Sequence, residues 1–176
     1  MSTNENLFLK SLYPINYGEM EKEDFDSYYH RVSSVALNIP EDVLYDWIYR
    51  HFNCVVSRYS SLDFEKMKFV RENWSGEDIY QLIKTDERHE FDIFSYQLYE
   101  KISPLQRYVL EHKTWPLPII VLENKEGQHS TRDGILGQPF HLLEGHLRLD
   151  YFRRLYREVP DTLPESHPIW KVTIEK

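Results

Sequence analysis

A segment of twenty residues, PFHLLEGHLRLDYFRRLYRE at positions 139–158, constrains the fold of this chain more than any other feature. Its first part, Phe140 to Leu143, is a short apolar run typical of a buried strand. From residue 146 to residue 157 apolar side chains recur at helical spacing. Gly145 lies between the two parts, where glycine permits backbone conformations that other residues rarely adopt. The segment therefore predicts a strand, a tight turn and a helix.

The sequence around this segment predicts an α+β fold. Leu117–Leu122 is a continuous apolar run that indicates another buried strand, and residues 123–138 are polar and glycine-containing, as in a loop. Residues 169–174 alternate, which predicts a half-buried strand at a sheet edge. We expect one domain over 1–176. It would consist of a mainly helical portion, 1–114, packed on a small C-terminal mixed sheet within 115–176.

The N-terminal portion shows helical spacing and helix-start signals. Pro40 suits the first turn of a helix with Val43, Leu44, Trp47, Ile48 and His51 on one face. Ser75 and Ser103 each precede a predicted helix as a cap. The other segments with helical character are 21–37, 62–70 in part, and a stripe formed by Phe91, Phe94, Leu98 and Ile102.

Composition limits the classes of function. Net charge is −8, from 29 acidic and 21 basic side chains, so nucleic acid and membrane headgroups are not expected partners and a basic protein is favoured. The single cysteine, Cys54, excludes an internal disulfide and a multi-cysteine zinc site, and its neighbours predict a small buried side chain. No apolar run approaches the roughly 20 residues of a membrane span, and the first residues do not resemble a signal peptide. These features predict a cytoplasmic protein.

The turn carries the side chains that are best suited to bind a ligand or to take part in catalysis. Backbone N–H groups at a helix start attract anions, and Gly145 would allow a ligand to approach closely. His146 and Arg148 could bind a phosphate there, and Glu144 could act as a base or hold a phosphate-bound metal ion. The alternative is purely structural: a glycine turn closed by a salt bridge between Glu144 and Arg148.

The run LPIIVL followed by PFHLLEGHLRLDYFRRL resembles the ParB/sulfiredoxin-like superfamily over residues 115–176. In that superfamily a strand leads into the turn motif DGHHR, whose glycine, histidines and arginine surround a nucleotide phosphate. The resemblance implies a nucleotide, with Mg²⁺ as a possible companion, held by Gly145, His146 and Arg148. It also implies that Glu144 and His146 are the catalytic candidates, for phosphotransfer or hydrolysis.

The departures from the family pattern narrow this expectation. Glu144 replaces the aspartate and Leu147 the second histidine. The turn has no cysteine, so the reduction of a sulfinic acid is not expected. Only a short stretch follows Glu158, so a downstream DNA-binding module is not expected either. A nucleotide-processing variant and a domain that kept the fold but lost the chemistry both stay open.

Three other patterns bear on function. His141 and His146 flank Glu144, but their spacing does not match a helical zinc motif, so no metal site is predicted. Arg153, Arg154 and Arg157 are expected on a solvated helix face, with a rim for phosphate as the alternative.

The chain also has thirteen tyrosines and an acidic run at residues 19–26. Together with the net charge, these favour a second hypothesis: a non-catalytic immunity or antitoxin-type protein that binds and neutralises a basic toxin.

Overall fold

Helices and a mixed five-stranded sheet build this protein, which confirms the predicted α+β class. The computed structural model describes residues 6–86 and 94–175. Within them the α-helices are α1 (Leu7–Ser11), α2 (Phe25–Val32), α3 (Glu41–Val43), α4 (Arg50–Tyr59), α5 (Gly76–Leu82), α6 (Pro104–His112) and α7 (His146–Glu158). Shorter helical segments are a π turn, Leu44–Tyr49, and 3₁₀ turns at Phe64–Lys66, Ser95–Glu100 and Pro160–Thr162. The strands are β1 (Met67–Ser75), β2 (Ile83–Lys84), β3 (Ile119–Glu123), β4 (Ser130–Thr131), β5 (Gly134–Ile135), β6 (Phe140–Glu144) and β7 (Ser166–Ile174).

The chain forms two compact units that are each discontinuous in sequence. The first unit contains residues 1–69, 129–135 and 173–176, and the second contains residues 70–128 and 136–172. Helices α1 to α4 belong to the first unit. Helices α5 to α7 and strands β2, β3 and β6 belong to the second.

The core of the first unit is built on the helical run from Glu41 to Tyr59. Its predicted inward face is confirmed for Val43, Leu44, Trp47 and Ile48, which are all buried. His51, predicted on the same face, is only half-buried because the backbone kinks there, with φ −124° and ψ 28°. The ring of Trp47 stacks on Phe64 with ring centroids 5.5 Å apart. Pro40 differs slightly from its predicted place, since it is the cap residue before α3.

Two predictions in the first unit are wrong. Helix α2 is much shorter than the predicted segment 21–37, because the Asp24 side chain caps its start by accepting from the Ser27 N–H at 2.9 Å. Ahead of that cap, Glu23 accepts from the Ile15 N–H at 2.8 Å and holds the chain in a turn. Cys54 is exposed rather than buried, because it lies on the outer face of α4.

The main sheet has the strand order β1-β7-β3-β6-β2. Strand β3 pairs antiparallel with β6 and parallel with β7, and β2 pairs parallel with β6. Strand β7 therefore lies inside the sheet, and its prediction as an edge strand is wrong. Local alternation cannot reveal this position, because it depends on β1, a strand that pairs with β7 from far away in sequence.

The segment that becomes β1 was expected to be partly helical. Only the 3₁₀ turn Phe64–Lys66 fits that expectation, and the chain is extended from Met67 onward. The predicted loop 123–138 likewise contains the two-stranded pair of β4 and β5. In both cases main-chain pairing across the sheet decides the structure over weak local periodicity.

Helix α7 packs on the main sheet. Leu149 and Phe152 of α7 join a buried cluster with residues of β3, β6 and β7, among them Ile119, Leu142 and Ile169. A second cluster joins α7 to α6 and the 3₁₀ turn before it, with the members Leu98, Val109, Tyr151 and Leu155. The turn at Gly145 thus lies between β6, an interior strand of the sheet, and a helix that is buried along much of its length.

Most predicted helix starts in the second unit are confirmed. Ser75 caps α5 through the Asp78 N–H, and Ser103 forms a reciprocal capping box with Gln106 at the start of α6. The predicted stripe through Phe94, Leu98 and Ile102 is wrong as a helix face, since Ile102 is 73% exposed and the turn there is 3₁₀. Phe91, the first member of that stripe, lies outside the described residues.

Candidate functional site

The candidate site is the turn that joins β6 to α7. Gly145 adopts φ 104° and ψ 28°, a left-handed conformation that glycine allows and side chains disfavour. A Cβ atom at this position would lie 2.6 Å from Cγ2 of Ile119 on the neighbouring strand β3. Glycine is therefore required here both by backbone conformation and by the close approach of β3, and the predicted strand–turn–helix arrangement is confirmed.

The carboxylate of Glu144 folds back onto the start of the helix. Its Oε1 accepts a hydrogen bond from the Gly145 N–H at 2.8 Å. A negative group in this place is stabilised by the positive end of the dipole of α7. Glu144 therefore takes up one of the backbone donors that a bound phosphate could use.

Arg148 is buried, with 6% of its surface exposed. Its Nη1 donates to the carbonyl oxygens of Leu117 at 3.0 Å and Pro118 at 3.4 Å. Its Nη2 lies 3.6 Å from Oε1 of Glu144. The guanidinium thus ties the turn to the chain segment before β3, and the ion pair with Glu144 that the sequence offered as an alternative is present.

The structure brings Glu144, Gly145 and Arg148 into contact with one another. His146 follows them as the first residue of α7 and is half-buried. Leu147 is 41% exposed at the position where the family pattern has its second histidine. The N–H groups of the first helical turn have no acceptor within the helix, so this end of α7 keeps some capacity to bind an anion.

Two other arginines of α7 also serve the protein's own structure, whereas Arg157 is exposed as the sequence predicted. Arg153 is only 8% exposed and donates to the carbonyl oxygen of Ile83 at 2.9 Å, so its expected place on a solvated face is wrong. Arg154 donates to the carbonyl oxygen of Ser95 at 3.2 Å and pairs with Glu158 at 3.0 Å. Both residues hold main-chain carbonyls of neighbouring segments to the helix.

The two histidines that flank Glu144, His141 and His146, differ in their burial. His141 is buried in β6, and its Nδ1 accepts from the Gly137 N–H at 3.1 Å. Within residues 6–86 and 94–175, no three histidine, cysteine or acidic side chains come together in a way that could hold a metal ion.

Sequence patterns missed one buried titratable residue in the same unit. His167 is fully buried, and its Nδ1 lies 2.9 Å from Oγ1 of Thr114. Burial against the rings of Trp115 and Phe152 lowers its pKa from 6.5 to about 4. The sequence offered one signal for its burial: His167 lies two residues before Ile169, and side chains two positions apart in a strand lie on the same face.

In the described part of the chain, no helix combines the length and the apolar character that crossing a membrane requires. Comparisons with protein-family models, with curated proteins and with solved structures returned no match to this chain.

Proposed function

We propose that this protein is a non-catalytic binding protein of the immunity or antitoxin type, which binds and neutralises a basic protein partner. The observation that carries this proposal is that Arg148 forms its hydrogen bonds and its ion pair with other groups of the same chain. Its guanidinium bonds to two main-chain carbonyls and to Glu144, and only 6% of the residue is exposed. The one arginine that would recognise a phosphate is thereby occupied with holding the fold.

Releasing Arg148 to a ligand would be unfavourable. The carbonyls of Leu117 and Pro118 would lose their donor, and an unsatisfied buried polar group costs about 1–3 kcal/mol. Glu144 would also lose its partner while lying close to the incoming phosphate. These terms favour a turn that stabilises the fold over a turn that performs chemistry.

The net charge of −8 supports a basic partner. Complementary charge steers the encounter of two proteins and disfavours partners of like charge. An acidic protein that neutralises a basic toxin would use this effect to bind quickly. The same charge repels nucleic acid, which makes a nucleic-acid substrate a poor alternative.

A phosphate- or nucleotide-binding turn is the second candidate, and one observation favours it. Gly145 leads from a buried strand directly into the thirteen-residue helix α7, which is the geometry that anion-binding turns use. Under this alternative, Gly145 and His146 would contact the phosphate, and Glu144 would hold a Mg²⁺ ion that neutralises part of the phosphate charge. Arg148 would have to leave its carbonyl partners on binding.

Two measurements test the proposal. Affinity purification of the tagged protein from its native host, followed by size-exclusion chromatography, should yield a stable complex with a basic protein. Thermal unfolding with ATP, ADP or CTP and Mg²⁺ should show no increase in Tm. A protein that elutes alone, with a Tm raised by one nucleotide and not raised in the Arg148→Ala variant, would establish the second candidate instead.

A further inference from the structure

The first unit carries two groups of aromatic rings that are bridged by the ammonium group of Lys22, and together we call them the tyrosine surface. Phe25 is the centre of one group, with ring centroids 4.9 Å from Tyr45 and 5.4 Å from Tyr49. Phe25 also stacks on Tyr29 at 5.9 Å. In the other group Tyr13 and Tyr17 pack against the same buried ring, Phe52. The tyrosine surface therefore consists of Tyr13, Tyr17, Phe25, Tyr29, Tyr45 and Tyr49.

Large apolar side chains stand exposed along this surface. Tyr45 is 39% and Tyr13 45% exposed, and Ile15 and Met20 on the turn between α1 and α2 are 49% and 104% exposed. The turn is nevertheless held in place, because the Glu23 carboxylate accepts from the Ile15 N–H and the Tyr49 hydroxyl donates to the Glu23 carbonyl at 2.6 Å. Several large apolar side chains exposed on one hydrogen-bonded segment favour an interaction site there.

The tyrosine surface already accepts cations from its own chain. Nζ of Lys22 lies 3.5 Å from the ring centroid of Tyr49 and 4.9 Å from that of Tyr17, and it donates to the Tyr49 carbonyl at 2.7 Å. The guanidinium of Arg50 lies 5.9 Å from the ring of Tyr45. Rings that hold a cation from one side can offer the same attraction to a partner's lysine or arginine.

Apart from the ammonium group of Lys22, the charged side chains exposed on the turn before α2 are acidic. Arg31 is paired with Glu23 at 2.6 Å, and Arg50 with Asp46 at 3.1 Å, so these cations are matched internally. Exposed carboxylates follow the turn and the start of α2, at Glu19, Glu21, Asp24 and Asp26. The surface thus combines exposed aromatic and aliphatic side chains with an acidic border.

We infer that the tyrosine surface is the docking face for a basic protein partner, which contributes a segment of lysine or arginine side chains interspersed with apolar ones. The inference rests on the proposed function and adds the place and chemistry of recognition. Tyrosine is enriched among the residues that dominate binding energy at interfaces, and charged borders set orientation and association rate. A nucleic acid would meet the same carboxylates with repulsion.

The test uses the partner obtained with the wild-type protein from the native host, purified and titrated against variants of the intact chain. Tyr45→Ser removes an exposed ring, and Glu21→Lys reverses an exposed border charge. Their matched controls are Tyr96→Ser and Glu126→Lys, which make the same changes at exposed positions of the second unit. The midpoint of urea unfolding of each variant verifies that the protein remains folded.

We expect the Kd to rise by roughly tenfold or more for Tyr45→Ser and Glu21→Lys, as for residues central to an interface, and to stay near the wild-type value for both controls. A basic partner that binds the two surface variants as tightly as the wild type would overturn the inference while leaving the proposed function standing. A protein that elutes alone from the native host would overturn both. A partner that proves to be nucleic acid or lipid would overturn the inference and the proposed basic partner together.

Discussion

Nη1 of Arg148 lies 3.0 Å from the carbonyl oxygen of Leu117, a residue 31 positions earlier in the chain. The arginine that the turn motif offers to a ligand therefore fastens the segment before β3 to the start of α7. Glu144, the other charged residue of the turn, accepts a hydrogen bond from the Gly145 N–H and pairs with Arg148. The stability of the second unit should depend on this contact.

Replacing Arg148 with alanine should lower the free energy of unfolding by about 3 kcal/mol, because it leaves Glu144 without its ion pair and two carbonyls without a donor. Urea denaturation measures this change. Arg157→Ala, at an exposed position of the same helix, serves as the control and should change stability by less than about 1 kcal/mol. Equal effects for the two variants would contradict a structural role for Arg148.

Gly145→Ala should destabilise the protein by more than the left-handed backbone alone explains. A Cβ atom at Gly145 would clash with Ile119, whereas Gly18 has φ 90° and open space around it. We expect Gly18→Ala to cost about 1 kcal/mol, and Gly145→Ala at least about 1 kcal/mol more. Thermal and urea unfolding of the two variants measure the difference, and identical losses would show that β3 does not crowd the turn.

Stability should fall on acidification before most carboxylates titrate. The pKa of buried His167 is lowered to about 4, so between pH 6.5 and 4 the unfolded chain binds a proton that the folded protein excludes. The free energy of unfolding should therefore decrease as pH falls through this window, by about 3 kcal/mol in total from this residue. Burial also lowers the pKa of His129, which adds a contribution of the same sign.

The variant His167→Asn separates this effect from other groups. Its unfolding free energy should depend less steeply on pH between 6.5 and 4 than that of the wild type. Carboxylates whose pKa is lowered, such as Glu23 beside Arg31, begin to lose their stabilising effect only as pH falls through their ordinary pKa of 4.5, at the acid end of this window. An unchanged slope in His167→Asn would contradict the burial of its neutral ring.

Cys54 should react readily in the native protein, because it is exposed on α4. Dithiodipyridine, followed by absorbance, should modify it at a rate within about tenfold of that in the urea-unfolded chain, since access is already open. A native rate slower by a factor of roughly a hundred or more would place the thiol inside the core after all.

Local sequence rules succeeded where one segment carries its own signal. The strand–glycine–helix turn at Gly145, the caps Ser75 and Ser103, and the inward face around Trp47 were all predictable, because their causes lie within a few residues. Strand β1 was missed for the opposite reason. Its extended form depends on pairing with β7, and its own sequence has only weak alternation.

The position of β7 inside the sheet and the exposure of Cys54 follow the same logic. Both depend on which other elements cover a given face, and periodicity says only that a face exists. The same limit applies to the tyrosine surface and to the acidic run at residues 19–26 beside it. The sequence indicated its composition, but the series of contacts from Tyr13 to Tyr45 depends on the fold. It runs through Phe52, Tyr17, Lys22 and Tyr49.

By itself, the sequence determined the α+β class and the turn that presents Glu144, Gly145 and Arg148 together, since spacing and glycine act locally. Only the tertiary structure decided what Arg148 does there. Its acceptors, Leu117 and Pro118, come from a segment about thirty residues away. The bonding of a long, flexible side chain is determined by the atoms that packing brings within its reach. The sequence motif identifies Arg148 as a hydrogen-bond donor, and the tertiary structure determines which oxygen atoms accept its hydrogen bonds.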